Sequence, residues 1–349
     1  NLSSIEEIVK DARNGKMYIL VDDPDRENEG DLIIPAQYAK PLAINFMAKH
    51  GRGLICLALS QQKIRKLKLP LMSAVNKSRT QTAFTVSIES KKGISTGISA
   101  YDRAKTIKVA IKSSSTKKDI VSPGHVFPLV AKNGGVLERA GHTEASVDIS
   151  KLAKLNASAV ICEVMNEDGT MARYKDLIPF AKKHKLKIAK IEDLISHRLK
   201  NERLVKCISN KKIKIKNFGF FDLKTFKNKL DGSEHYALTK GKFNMGKPSR
   251  VRVISTNVLN SFFNFSKDIY KSSLKYLNKF NNFALILIRG TNSNTPSSEN
   301  NRILRYYGVG AQIIKELKIK NMILVSRSKK RVIALKGYGI KITKQEIIK

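Results

Sequence analysis

Apolar and polar residues along this chain fall into short blocks whose period keeps changing. "MYILV" (17–21) and "DLIIP" (31–35) are unbroken apolar runs of strand length and predict two buried strands. "GLICLAL" (53–59) and "TAFTVSI" (82–88) also read as strands. "DLIPFAKKH" (176–184) has helical apolar spacing, and "LKIAKI" (186–191) then reads as a strand. Further on, Phe262, Phe263, Ile269, Tyr270, Leu274, Leu277 and Phe280 recur at i, i+3/i+4, which predicts an amphipathic helix over 260–280. A strand at 283–288, a loop at 291–301, a helix at 309–317 and strands at 321–326 and 332–335 follow. The mixture predicts an α/β (α+β) fold: a mixed-sheet domain, then a second, smaller α/β domain. Between them the chain turns polar and basic, which sets a first domain at 1–200, a linker at 201–217 and a second domain at 218–349. No internal repeat is evident.

The 349 residues suffice for two ordinary domains. No run approaches the roughly 20 apolar residues of a membrane helix, so no membrane partner is expected. The first residues have no apolar core of a secretory signal. Three cysteines, Cys56, Cys162 and Cys207, are odd in number and widely spaced. That pattern fits a reducing cytoplasm, where the protein is expected, and argues against a disulfide framework. The net charge is +37. Residues 1–200 hold 34 basic against 21 acidic side chains, and residues 201–349 hold 32 against 8. Such charge can mark nucleic-acid binding. Here the lysines are spread over every element, and no aromatic-interleaved RNA motif or zinc-finger spacing appears. A lysine-rich compositional bias with weak adhesion to polyanions is the expectation, and no specific nucleic-acid partner.

Against this basic background, "DDPDRENEGD" (22–31) packs six carboxylates into ten residues. Most acidic turns merely solvate a loop. Clustered carboxylates repel unless a cation compensates, and hard oxygen ligands at short spacing suit Mg²⁺ or Mn²⁺. Arg26 in the middle suits a phosphate or sugar. A second stretch, "SPGHVFPLVAKNGGVLERAGHTEAS" (122–146), sets two histidines beside glycines, with Glu138, Arg139 and Glu144 nearby. One histidine alone is usually structural; two in such settings point to a site. The glycines let backbone N–H groups approach an anion, and Thr143 adds a hydroxyl. In a third, "AVICEVMNEDGTMAR" (159–173), Glu163 sits inside an otherwise apolar strand, where a carboxylate is paired, as in a salt-bridged core, metal-bound or tuned for proton transfer. Together these predict a metal-assisted enzyme acting on a small phosphorylated, polyhydroxylated substrate.

These stretches resemble the 3,4-dihydroxy-2-butanone 4-phosphate synthases of riboflavin biosynthesis. The resemblance rests on "VDDPDRENEGDLIIPAQ", "RGLICLALS", "TAFTVSIES", "STGISAYDRAKTI", "PGHVFPL", "GGVLERAGHTEASVDISKLAKL", "ICEVMNEDGTMAR" and "LISHR", and covers nearly all of 1–200 in order. It implies a homodimeric lyase that converts D-ribulose 5-phosphate to 3,4-dihydroxy-2-butanone 4-phosphate and formate, using Mg²⁺ or Mn²⁺. Carried over by motif, Glu27 and His142 are the metal ligands. Arg26, Glu27, Asp31, Arg139, Ala140, Gly141, His142, Thr143 and Glu163 bind substrate, with His125 and Glu163 as catalytic acid/base groups. Asp22, Glu29 and Cys56 rank second. Ser122, where the family usually has arginine, and Lys105, where threonine is usual, depart from the pattern without removing a first-rank residue.

The second half resembles GTP cyclohydrolase II at "DGSEHYALTKG" (231–241), "RVRVIS" (250–255), "RYYGVGAQIIKELKI" (305–319) and "LKGYGIKI" (335–342). That enzyme needs three zinc-binding cysteines just after the "VRV" strand. Here "ISTNVLNSFFNFS" has none, and Cys207 is the sole cysteine beyond residue 200. A three-thiolate site cannot be built, so no zinc is expected and the domain reads as degenerate and catalytically dead. The alternative, a bifunctional enzyme with GTP cyclohydrolase II activity, fails on the same cysteines.

Overall fold

The computed structural model describes residues 2–24, 26–76, 80, 82–230, 232–243, 247–256, 269–289, 299–328 and 340–348. Two compact units divide the chain, one built on the residues up to His197 together with 295–301, the other on 198–294 and 302–349.

The first unit is a mixed α/β layer structure. Its strands are β1 (Tyr18–Val21), β2 (Gly30–Pro35), β3 (Cys56–Ser60), β4 (Ile88–Ser90), β5 (Ile120–Ala131), β6 (Ser158–Glu163) and β7 (Lys187–Lys190). They form one sheet in the order β4-β5-β3-β6-β2-β1-β7. The β1/β7 and β3/β5 pairs are parallel and the others antiparallel. β1 and β2 are buried at every position. Strands covered on both faces read as continuous apolar runs, which is why the sequence shows them plainly.

Helices α1 (Ile5–Arg13), α2 (Pro41–Phe46), α3 (Gln61–Leu67), α4 (Ala100–Ile111), α5 (His142–Leu152) and α6 (Tyr174–Lys183) surround the sheet. α1 opens on a reciprocal cap, Glu7 N–H donating to Ser4 Oγ (3.2 Å) and Ser4 N–H to the Glu7 carboxylate (2.9 Å). One sheet face packs Leu32, Ile34, Leu57, Val160 and Cys162 against Ile44, Ile64, Ile107 and Leu177 of α2, α3, α4 and α6. The other sheet face carries Asp31 and Glu163, which are paired in register on β2 and β6. Regular pairing at 82–88 is confined to β4, with single bridges at Phe84 and Thr85, so the strand expected there is shorter and later.

Helix α7 (Ile191–Asn201) leads into the second unit. There β8 (Val205–Ile215), β9 (Gly219–Asn228), β10 (Glu234–Lys240), β11 (Ser249–Thr256), β12 (Phe283–Arg289), β13 (Asn321–Ser326) and β14 (Lys341–Ile347) form a second sheet, ordered β14-β13-β11-β12-β10-β9-β8. β11 to β14 are parallel and β8 to β10 antiparallel. α8 (Ile269–Leu277) packs on one face through Leu274 and Leu277. The stretch 201–217, expected as a linker, is mostly strand: β8 pairs with β9 from Val205↔Asn228 to Ile215↔Gly219. β8 is an edge strand, exposed along most of its length and studded with lysine. Charged edge strands and linkers share a composition, which is how the sequence conceals it. The helix expected at 309–317 is longer, α9 (Glu299–Glu316). The expected positions 260–268, 291–298 and 332–335 lie outside the described residues. Among the described residues, no helix is long and apolar enough to cross a membrane.

Candidate active site

The acidic loop joins β1 to β2 and folds back on Arg26. The Arg26 guanidinium donates to Asp22 Oδ2 (2.6 Å) and Glu27 Oε2 (2.5 Å). Glu29 N–H donates to Asp22 Oδ1 (2.9 Å). Arg173 reaches in from the other side, donating to the carbonyls of Glu27 (2.5 Å) and Asn28 (2.9 Å). Even so, Asp22, Glu27, Glu29, Asp31 and Glu163 crowd one region. Asp31 is buried, and this desolvation, reinforced by Glu163, Glu27 and Asp22, raises its carboxyl well above the ordinary range. Burial opposes ionisation of Glu27, but the Arg26 guanidinium beside it holds its carboxyl below the ordinary range.

Across from this loop, α5 begins at His142. Gly141 is its N-cap and makes no side-chain cap, so the first-turn N–H groups face outward from the helix end. A side chain at Gly141 would lie 2.4 Å from Arg139 Nη1 and 3.0 Å from Arg26 Nη2, so two guanidinium groups converge on this backbone. Arg139 is itself held by Glu144 (2.6 Å), the Thr80 carbonyl (3.0 Å) and Thr82 Oγ1 (3.0 Å). Burial raises the Glu144 carboxyl, and Arg139 works against that rise. Ala140 and Thr143 are buried beside them.

His142 carries the clearest chemical signal. Its Nε2 lies 3.2 Å from the carbonyl oxygen of Leu20. A carbonyl only accepts, so Nε2 bears the hydrogen and Nδ1 keeps its lone pair. Nδ1 faces Asp31 Oδ1 (3.6 Å) and Glu27 Oε2 (3.9 Å). Burial lowers the pKa of His142, which keeps the ring neutral near pH 7. Ligand atoms of Asp22, Glu27 and His142 all lie within 4.8 Å of one another. Two carboxylates and a neutral imidazole fixed in its tautomer are a fitting donor set for a divalent cation.

Glu163 ends β6, opposite Asp31, and accepts from Leu54 N–H at 2.9 Å. A side chain at Gly53 would lie 2.5 Å from the Glu163 carbonyl and 2.6 Å from its Oε2. Cys56 is buried on β3 near Glu163 and Asp31, and burial pushes its thiol well up, so it acts as packing. His125 stands on β5, at the same end of the sheet as Glu163. Two strand spacings, about 10 Å, separate their strands. The structure therefore brings Arg26, Glu27, Asp31, His142 and Glu163 together, sets Arg139 and Thr143 at the helix terminus, and leaves His125 outside the cluster. Sequence reasoning missed Glu89, which contacts His125 Nδ1 from β4. Only the tertiary pairing of β4 with β5 reveals it.

Comparison with known proteins identifies the family. The family model for 3,4-dihydroxy-2-butanone 4-phosphate synthase matches residues 6–197, and that for GTP cyclohydrolase II matches 206–295 and 271–346. The riboflavin biosynthesis protein RibBA of Aquifex aeolicus is 43% identical, over 99% of this chain and 92% of its own length. The crystal structure of RibBX, a two-domain 3,4-dihydroxy-2-butanone 4-phosphate synthase from A. baumannii, is 40% identical with a TM-score of 0.86, covering 99% of this chain and 100% of that one. A synthase solved in complex with two magnesium ions is 37% identical with a TM-score of 0.55, covering 57% of this chain and 98% of that one. The chain belongs to the 3,4-dihydroxy-2-butanone 4-phosphate synthase family.

Proposed function

We propose that this chain is a lyase that converts D-ribulose 5-phosphate to 3,4-dihydroxy-2-butanone 4-phosphate and formate in riboflavin biosynthesis, with Mg²⁺ or Mn²⁺ bound in the first unit. The observation that carries the reading is the meeting of Asp22, Glu27 and His142 within 4.8 Å, at the N-terminus of α5. Glu27 and His142 hold the cation, with Asp22 beside them. When bound, the cation supplies positive charge against the oxyanion character that enolisation develops on the substrate.

The remaining steps belong to the chain's own residues. Arg26 and Asp31 orient the sugar hydroxyls. The backbone of Gly141, His142 and Thr143 receives the phosphate end, where N–H groups and helix dipole favour an anion. Arg139 and Ala140 shape that turn. Glu163 and His125 move the protons that successive enolisation, dehydration and skeletal migration require. Residues 1–200 constitute the synthase domain.

The part beginning with β8 is a degenerate GTP cyclohydrolase II-like domain without activity or zinc, since Cys207 is its only cysteine. The enzyme works as a homodimer in the cytoplasm. Leu71, Met72, Val75, Ile98 and Tyr101 of the first unit stand exposed, Tyr101 by 76%, and suit burial against a second copy.

Chelation tests the metal reading. Formate release from ribulose 5-phosphate should cease after thorough EDTA treatment and return on adding Mg²⁺. Release that persists through chelation would contradict it.

A further inference from the structure

We propose that Glu89 is the positioning residue of His125, forming with it a carboxylate–imidazole dyad. The inference rests on the reading of His125 as an acid/base group. The backbone around the pair is arranged to make this one contact. β4 and β5 pair at Ile88↔Val126 and then at Glu89↔Val121, so residues 122–125 leave the ladder as an excursion of β5. The excursion is pinned by Gly124 N–H donating to Ser87 Oγ (3.0 Å). A side chain at Gly124 would lie 2.2 Å from the Ile88 carbonyl, so only glycine lets the strands approach this closely.

The excursion delivers His125 Nδ1 to Glu89 Oε1. Gly97 covers the contact from above at φ +89°, where a side chain would lie 1.7 Å from Glu89 Oε1 and 2.9 Å from His125 Nδ1. Gly97 is fixed in turn, its N–H donating to Asp102 Oδ2 (3.0 Å), and Asp102 also accepts from Ser95 Oγ (2.8 Å). Two glycines and two anchored turns thus serve a single side-chain pair.

The chemical consequence follows from the atoms engaged. Glu89 accepts the Nδ1 hydrogen, which leaves Nε2 as the ring's lone-pair nitrogen. Among the described residues, no hydrogen bond engages Nε2. The Glu89 side chain is largely covered while that of His125 is 45% exposed, so the carboxylate is anchored inside and the imidazole is presented outward. Without Glu89 the ring loses both its orientation and its tautomer, although the substrate's binding groups stay in place.

The test uses the full chain with ribulose 5-phosphate and Mg²⁺. Glu89→Ala should lower kcat about 10- to 100-fold, the usual cost of losing a partner that orients an imidazole, with KM changed by less than about two-fold. Glu89→Gln keeps an acceptor for Nδ1–H and should recover a large part of that loss. In ¹⁵N spectra of histidine-labelled protein, His125 should carry its hydrogen on Nδ1 in the wild type and in Glu89→Gln. In Glu89→Ala that preference should be lost while the thermal melt is retained. An unchanged kcat in Glu89→Ala, beside an inactive His125→Ala, would overturn the role of Glu89 alone. Near-normal turnover in His125→Ala would overturn the assignment of His125 and the dyad with it.

Discussion

Glu163→Gln should reduce turnover by about 10² to 10⁴-fold, the range general acid/base groups supply, while the fold and KM change little. The substitution is nearly isosteric. Glutamine at 163 still offers an oxygen to Leu54 N–H, which now donates to Glu163 Oε2 at 2.9 Å. It still fits against Gly53, where the backbone leaves no spare room. What it removes is the capacity to take and return a proton beside Asp31, its partner in register. Steady-state formate release, with circular dichroism as the fold control, reads the effect. Activity within about three-fold of wild type would refute the role of Glu163 as a proton carrier, since no loss that small fits an acid/base group.

The second large effect concerns the cation. Glu27→Gln and His142→Ala should each weaken Mg²⁺ or Mn²⁺ binding by more than about 10²-fold, exceeding the 10- to 100-fold cost of losing an outer partner. His142 is fixed for this task by the Leu20 carbonyl, which holds the hydrogen on Nε2 and leaves Nδ1 free. Its depressed pKa, caused first by burial, spares the metal from competing with a proton near neutral pH. Glu27 is held ionised by Arg26 against the cost of burial. Calorimetric titration of the metal into each variant measures the change, without reference to turnover. Unaltered affinity in both variants would place the cation elsewhere.

How much of this was legible in the sequence depended on how each element is buried. β1 and β2 showed as apolar runs because both of their faces are covered. α6 showed by its helical spacing, with Leu177 and Ala181 forming its buried stripe. α5 did not show at all. It is buried at nine consecutive residues from His142 to Ser150, most of them polar, so no apolar stripe set against an exposed face defines a period. Its polar side chains are satisfied locally, Ser146 Oγ donating to the Thr143 carbonyl and Ser150 Oγ to the Ser146 carbonyl. β5 was hidden by Pro123, Gly124 and Pro128, which read as turn residues although the strand runs through them.

The same logic applies to the site. The acidic loop announced itself because its charge contradicts the rest of the chain, and the motif resemblance named Glu27, His142, His125 and Glu163. Neither could show Glu89, a single acid at the end of a β-rich segment. Its meaning lies in a strand register that skips four residues of its neighbour. Nor could spacing alone show that Arg139 is tied to Glu144 and Thr82, a brace for the α5 terminus.

On the proposed function, chemistry resides in the first unit and is absent from the second. Formate release measures both halves in one experiment. The purified protein should release one formate per ribulose 5-phosphate consumed in Mg²⁺, and none from GTP in Zn²⁺. No formate from the sugar phosphate would contradict the synthase assignment, and formate from GTP would contradict the account of a degenerate second domain.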